Sequence, residues 1–171
     1  MSGLEKIKMI ILDVDGVLTY GSITIDSMGN ESKTFNSKDG SGIKFGQRVG
    51  LKFAIITGRS SVAVDKRARE LNIKDVYQNE KKKIEAYEKI LSAYNLDDEE
   101  ACYIGDDLVD MPVMKRVGYS VCVSDGAKEV CEIADYITKA SGGKGAVREV
   151  IEKVIMVQGK WDEILSGYFK D

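Results

Sequence analysis

The chain is predicted to fold as an α/β domain, a doubly wound parallel sheet with helices on both faces. Three observations carry that prediction. Short apolar strand patterns alternate with helical patterns along the whole sequence. Carboxylates, a threonine and a lysine recur just past predicted strands, where an open parallel sheet binds its ligands. One stretch, residues 17–39, breaks the alternation, which then resumes unchanged, as it does around an insertion.

In chain order, strands are expected at 7–13, 52–57, 75–77, 101–105, 120–123 and 136–138. Helices fall between them. The helix expected over 42–49 ends before Gly50, a residue suited to a helix C-terminus. Ser60 and Ser61 can cap a helix running to about Leu71. Residues 82–94 place Ile84, Tyr87, Ile90, Leu91 and Tyr94 at helical spacing. Pro112 suits the start of a short helix, where its missing N–H costs little. The last helix is expected over 145–157. In the interrupting stretch, Ile23 and Ile25 alternate with Thr24 and Asp26, Ser27 to Asn30 reads as a turn, and 31–36 reads as a return strand. An isolated hairpin is marginal in water, so this one is expected to pack on something, such as another subunit. After Gly159, Trp161, Ile164, Leu165, Tyr168 and Phe169 are too apolar for a solvated tail. Two readings stand: the tail packs on its own subunit, or it closes over a neighbouring active site.

Composition narrows the function. The 171 residues suffice for one domain, taken as 1–171 with a hairpin insertion at 17–37 and a tail at 159–171. A formal charge of −3 argues against a nucleic-acid partner. No apolar run approaches the roughly 20 residues of a membrane span. The N-terminus runs directly into a strand and is not expected to be a signal peptide. Cys102, Cys122 and Cys131 lie far apart among apolar neighbours and are expected to be reduced, buried thiols in a cytoplasmic protein. The chain has no histidine, which removes His-based zinc sites, Ser-His-Asp triads and phosphohistidine chemistry together. Acid–base work near neutral pH falls to carboxylates or lysine.

The apolar segment 8–12 runs into Asp13-Val14-Asp15-Gly16. A carboxylate such as Asp13 can attack a phosphoryl group, splitting one hard step into two. Asp15 can protonate the leaving oxygen and then activate water. Two carboxylates and a phosphate repel one another, so a divalent cation is expected. Mg2+ prefers oxygen ligands, and Asp13, Asp15 and Asp106 are its expected holders. Thr57, ending an apolar strand before Gly58 and Arg59, offers a hydroxyl and a backbone N–H to a phosphate oxygen. Lys83 can neutralise the phosphate and the aspartyl group. Asp110 is expected behind the metal ligands, fixing Lys83 or the Asp106 loop, and Asp107 either there or as a helix cap. Arg59 and Arg67 suit carboxylates and phosphates through their planar forks. The segment 141–145 is either an anion site at a helix N-terminus or a flexible turn.

Together, residues 12–19, Thr57-Gly58-Arg59, Lys83 and residues 105–110 resemble the four motifs of the haloacid dehalogenase superfamily of phosphatases. Over nearly the whole chain, 35–42, 55–61, 142–149 and 158–161 resemble its 3-deoxy-D-manno-octulosonate 8-phosphate phosphatase family, a small, capless branch. The resemblance implies a Rossmann-like haloacid dehalogenase fold with no large cap domain. It implies Mg2+-dependent removal of phosphate from an eight-carbon sugar acid of lipopolysaccharide biosynthesis, and a homotetramer whose hairpins and tails help to enclose the sites. Substrate contacts are then expected from Asn36, Lys38, Gly58, Arg59 and Arg67, with Arg59, Arg67 or Lys38 taking the sugar-acid carboxylate. Residues 124–128 depart from the Ala-Asp-Ala-His-Pro-like stretch common in relatives. Alternatives are a phosphatase for a nine-carbon, sialic-acid-type 9-phosphate, a receiver-like phospho-Asp module without enzymatic activity, and an inactive regulatory subunit. The order of the acidic groups and the intact Asp13 and Asp15 weigh against the last two.

Overall fold

The structure is a computed structural model and describes residues 3–169. Met1, Ser2 and the last two residues of the tail, Lys170 and Asp171, lie outside the described residues. The strands are β1 (Met9–Leu12), β2 (Thr24–Ile25), β3 (Glu31–Ser32), β4 (Lys52–Ile56), β5 (Asp75–Tyr77), β6 (Ala101–Gly105), β7 (Tyr119–Cys122) and β8 (Tyr136–Ile137). β2 and β3 pair with each other, and the other six form a parallel sheet in the order β5-β4-β1-β6-β7-β8. The order runs outward from β1 in both directions, so the topology switches beside β1, and a crevice opens at its carboxyl end. Every residue of β1 and β6 is buried, the pattern of strands covered on both faces.

One face is covered by α1 (Ser37–Arg48), α2 (Val62–Glu70) and α6 (Ala146–Val157), packed over Ile10, Leu12, Phe53, Ile55 and Ile104. The sequence of α6 shows why: Val147, Val150, Ile151 and Val154 recur at three- and four-residue spacing and all are buried. The other face is covered by α3 (Lys83–Tyr94), α4 (Met111–Met114) and α5 (Lys128–Ile133), over Met9, Ile11, Ala54, Ile56 and Tyr103. Buried Asp39 on α1 accepts a hydrogen bond from the Arg148 N–H (2.8 Å) and so ties α1 to the first turn of α6.

Three expectations need correction. The helix expected at 42–49 begins five residues earlier, at Ser37, because Asn36 caps it by accepting from the Lys38 N–H (2.8 Å). The hairpin is accordingly shorter than expected: β3 ends at Ser32, and Asn36 is not part of the return strand. Cys122 and Cys131 are joined by a disulfide instead of being separate thiols, while Cys102 is free and buried. The turn from β7 into α5 brings their Cα atoms to 5.2 Å, within bridging range.

The tail forms α7 (Trp161–Ser166) and packs on its own subunit. Ile164 is buried in the core, Trp161 and Tyr168 meet Phe45 edge-on at 6.3 and 5.8 Å, and Arg48 donates to the Tyr168 hydroxyl (2.8 Å).

Candidate active site

The site is assembled at the carboxyl ends of the central strands. Asp13 follows β1, Thr57 follows β4, Lys83 opens α3 after β5, and Asp106 follows β6. Asp13 N–H donates to Ile104 O (3.1 Å), so the sheet ladder itself fixes the first carboxylate. The chain then turns sharply through Gly16, whose φ of 88° is the left-handed region that favours glycine. A side chain there would meet Asp106 Oδ2 at 1.9 Å, so this glycine lets the two acidic loops approach.

Asp13 Oδ1 accepts from Val14 N–H (2.7 Å) and lies 2.9 Å from Lys83 Nζ. Lys83 donates to Asp110 Oδ1 (2.7 Å), which also accepts from the Tyr103 hydroxyl (2.6 Å). Asp110 Oδ2 accepts from the N–H groups of Asp106 and Asp107 (3.0 and 3.2 Å). Both Asp110 oxygens are therefore occupied, and the residue holds Lys83 and the Asp106 loop in place. Asp107 caps the short turn after it, accepting from Leu108 N–H (2.8 Å).

Ligand oxygens of Asp13, Asp106 and Asp110 lie within 4.8 Å of one another. Three carboxylates face one lysine, and the electrostatics show the strain. Burial, reinforced by Asp110, outweighs Lys83 and pushes Asp13 up to about 6. Burial and then the charges of Asp13 and Asp110 push Asp106 up to about 8. Burial works to lower Lys83, but the charges of Asp13 and Asp110 prevail and raise it. Asp106 Oδ1 is buried and accepts no hydrogen bond. A hard divalent cation with oxygen ligands fits this donor set, with Asp13 and Asp106 supplying the ligand oxygens.

Asp15, also expected to hold the metal, is not among the clustered carboxylates: its side chain turns away from them. Asp13 and Asp15 are extended but Val14 between them is helical, so the two-residue alternation of a strand is broken and the two side chains part. Asp15 Oδ1 accepts from Lys33 Nζ at 2.5 Å, and its Oδ2 lies 3.8 Å from Arg59 Nε. Arg59 also donates to Glu31 Oε2 (2.5 Å). That bond, with support from Lys33 and against partial burial, pulls Glu31 down to about 2.

Thr57 is buried, and its N–H donates to Tyr77 O (2.9 Å) within the sheet ladder. The hydroxyl is thus its remaining donor. Gly58 and Arg59 are exposed at the mouth. Arg67 stands elsewhere: it pairs with Glu70 (3.1 Å), donates to Asn36 O (3.4 Å) and lies over the Phe35 ring. Asn36 donates to Gly143 O (3.3 Å), and Lys38 is exposed. Arg59 therefore reaches Asp15, whereas Arg67, Asn36 and Lys38 sit at the start of α1.

The segment 141–145 is a packed turn. Gly143 N–H donates to Val17 O (2.9 Å), and a side chain on Gly142 would meet Gly16 O at 1.7 Å. The Gly142 N–H donates to Asp125 Oδ1 (2.8 Å). In the loop 124–128, Ala127 N–H also donates to Asp106 O (2.7 Å), so this loop braces both the glycine turn and the Asp106 loop.

Sequence reasoning missed Tyr103, Glu31 and Lys33. Tyr103 sits inside an apolar strand, where nothing marks its hydroxyl as part of a site. Glu31 and Lys33 carried a signal: two residues apart in an extended segment, they face the same way.

Residues 70–151 match the family model described as haloacid dehalogenase-like hydrolase. The 3-deoxy-D-manno-octulosonate 8-phosphate phosphatase KdsC of Escherichia coli (strain B / BL21-DE3) is 43% identical over 163 residues, 95% of this chain and 87% of that protein. The phosphatase of the same name from Yersinia pestis has a crystal structure that superposes with a TM-score of 0.93 at 40% identity, covering 94% of this chain and 86% of that one. The Moraxella catarrhalis enzyme, in complex with magnesium, phosphate and KDO, superposes with a TM-score of 0.95 at 37% identity, over 97% and 95% of the two chains. With the acidic cluster on β1 and β6 and no large cap among the described residues, the chain belongs to the haloacid dehalogenase superfamily and, within it, to the 3-deoxy-D-manno-octulosonate 8-phosphate phosphatase family.

Proposed function

We propose that this protein is a Mg2+-dependent phosphomonoester hydrolase that releases phosphate from 3-deoxy-D-manno-octulosonate 8-phosphate. The observation that carries the reading is the pairing of Asp13 with Asp106, a buried and a half-buried carboxylate drawn together over Gly16, the second with a buried oxygen that accepts no hydrogen bond. When bound between them, Mg2+ supplies positive charge that lets a phosphate approach carboxylates. Relatives carry the same activity in their names, and one holds magnesium, phosphate and KDO.

A carboxylate oxygen of Asp13 attacks phosphorus, and the bond from phosphorus to the sugar oxygen breaks. Asp15 gives its proton to that oxygen. In the second step Asp15, now a carboxylate, takes a proton from water while the water oxygen attacks phosphorus and Asp13 is released. Lys83 stays charged between Asp13 and Asp110 and offsets charge on the phosphoryl oxygens. The Thr57 hydroxyl donates to one of those oxygens, with Gly58 beside it. Arg59 takes the anionic end of the sugar acid, with Arg67, Lys38 and Asn36 lining the far side.

The enzyme works as a homo-oligomer, a tetramer in this reading, in the cytoplasm. The hairpin supports this: among the described residues β2 pairs only with β3, and Ile23, Ile25 and Met28 are exposed. No helix among the described residues is long and apolar enough to cross a membrane.

Phosphate release should be measured on the eight-carbon 8-phosphate and on a nine-carbon sugar acid 9-phosphate, with Mg2+ and with EDTA. Higher kcat/KM on the eight-carbon substrate and silence in EDTA are expected. Preference for the nine-carbon substrate would overturn the assignment, as would activity in EDTA. Light scattering should give a multiple of 18.9 kDa; a monomer mass would reject the assembly.

A further inference from the structure

The hairpin inverts the usual order of burial. Its apolar residues Ile23, Ile25 and Met28 are 44%, 60% and 85% exposed, whereas the side chain of Lys33 is 1% exposed. A hairpin built only to fold would do the reverse, because lysine is almost never fully buried unless it is paired. Burying an ammonium group is costly, and carboxylate partners must offset it. Lys33 has two: Asp15 Oδ1 at 2.5 Å and Glu31 Oε1 at 3.1 Å. The second contact is a Coulomb pair without hydrogen-bond alignment. Glu31 is held in turn by Arg59, whose Nε lies 3.8 Å from Asp15 Oδ2. The four charges close a ring around the Asp15 carboxylate, with one oxygen facing Lys33 and the other facing Arg59.

Asp15 needs such support. It sits on an extended residue outside the strand, and its side chain is partly open to solvent. Its carboxylate is held by side chains of the hairpin and of the Thr57 turn, not by the sheet. Asp13, by comparison, is fixed by Val14 N–H and Lys83. A general acid must stand within hydrogen-bond reach of the oxygen it protonates, and misplacement of about 1 Å can cost roughly a hundredfold in rate. We propose that Lys33 is a positioning residue: it aims the Asp15 carboxyl group, which carries the proton in the first step and takes one from water in the second, at the leaving-group oxygen, and the hairpin therefore belongs to the catalytic apparatus of its own subunit. This rests on the role given to Asp15 above.

Leaving-group dependence tests it. Phenyl phosphate needs its departing oxygen protonated far more than p-nitrophenyl phosphate does. The Mg2+-loaded, full-length enzyme is assayed on both, as wild type, Asp15→Asn, Lys33→Met, Lys33→Gln and Lys33→Arg. Asp15→Asn should lose much more kcat on phenyl phosphate than on p-nitrophenyl phosphate. Lys33→Met and Lys33→Gln should show the same skew, about tenfold or more, as a fraction of the roughly 10²–10⁴-fold worth of acid–base catalysis. Lys33→Arg, which keeps charge and donors, should restore most of it. Equal losses on both substrates, or a rise in KM alone, would overturn the inference and make Lys33 a structural or substrate-binding residue. Should Lys33→Met fail to fold, the skew of the milder Lys33→Gln decides. If Asp15→Asn itself shows no skew, the role of Asp15 fails, and with it the basis of the inference. A skew in Asp15→Asn without one in the Lys33 variants defeats Lys33 alone.

Discussion

The site has an inner half and an outer half, and each is a small charge network. The inner half joins Lys83 to Asp13 and Asp110, with Tyr103 behind them, all buried. The outer half joins Lys33 and Arg59 to Asp15 and Glu31, and three of these four side chains retain contact with solvent. The inner network hangs from the central strands, and nearly every polar atom in it has a partner. The outer one hangs from a hairpin of two-residue strands. Charges inside the sheet are strongly coupled to folding, because a partner lost there leaves another charge unpaired in a medium that solvates it poorly. Charges on the hairpin are less strongly coupled to folding, because water can take over part of a lost contact.

The largest expected effect comes from the inner half. Asp13→Asn should lower turnover by roughly four orders of magnitude or more while circular dichroism stays native, since removal of a nucleophile disables the unit it works in. Substantial phosphate release by this variant would refute a covalent mechanism.

Lys83→Met should separate the halves by stability. It leaves Asp13, Asp106 and Asp110 without their cation, and the metal-free protein should lose about 3–5 kcal/mol in denaturant titration. Lys33→Met should lose clearly less, because its carboxylate partners remain partly hydrated and near Arg59. Equal losses would erase the distinction between the halves.

The pH dependence belongs to the inner half as well. Asp13 and Asp106 are raised to about 6 and about 8 in the folded protein, from an ordinary value of 3.8. Between those limits the folded state binds more protons than the unfolded state, so stability falls as pH rises. The stabilising contribution is fully present below pH 3.8 and is lost through about pH 8. The thermal midpoint of metal-free protein should therefore decline from pH 5 to pH 8, and the decline should be shallower in Asp106→Asn. Added Mg2+ should raise the midpoint most at the alkaline end, where its ligands are already deprotonated. A Mg2+ effect independent of pH would sink this account.

The smallest effect is expected from Glu31→Gln. Its pair with the half-exposed Arg59 is worth about 0.2–1 kcal/mol, and Lys33 keeps Asp15 as its nearer partner, so stability should fall less than in Lys33→Met. Arg59 would be freed for the substrate, and KM for the sugar acid phosphate should fall severalfold with kcat reduced less than in Lys33→Met. A higher KM would mean that Glu31 helps to hold Arg59 in its binding position.

The sequence by itself determined the sheet and put Asp13, Thr57, Lys83 and Asp106 just past its strands. Each central strand is an apolar run ending in a functional residue, and β5 and β6 begin and end where their patterns place them. Local signals suffice there, because burial on both faces demands continuous apolar strands and the fold puts ligands at their ends. Only the tertiary structure decided the rest. Asn36 reads as strand because an extended capping residue and an extended strand residue look alike in sequence. Asp15 reads as a metal ligand because a spacing of two does not say which way the turn at Gly16 sends a side chain. The partners Lys33 with Asp15, Asp110 with Lys83, Asp125 with Gly142 and Cys122 with Cys131 are 18, 27, 17 and 9 residues apart. Such pairings arise from where loops meet over the sheet edge, and no periodicity along the chain records them.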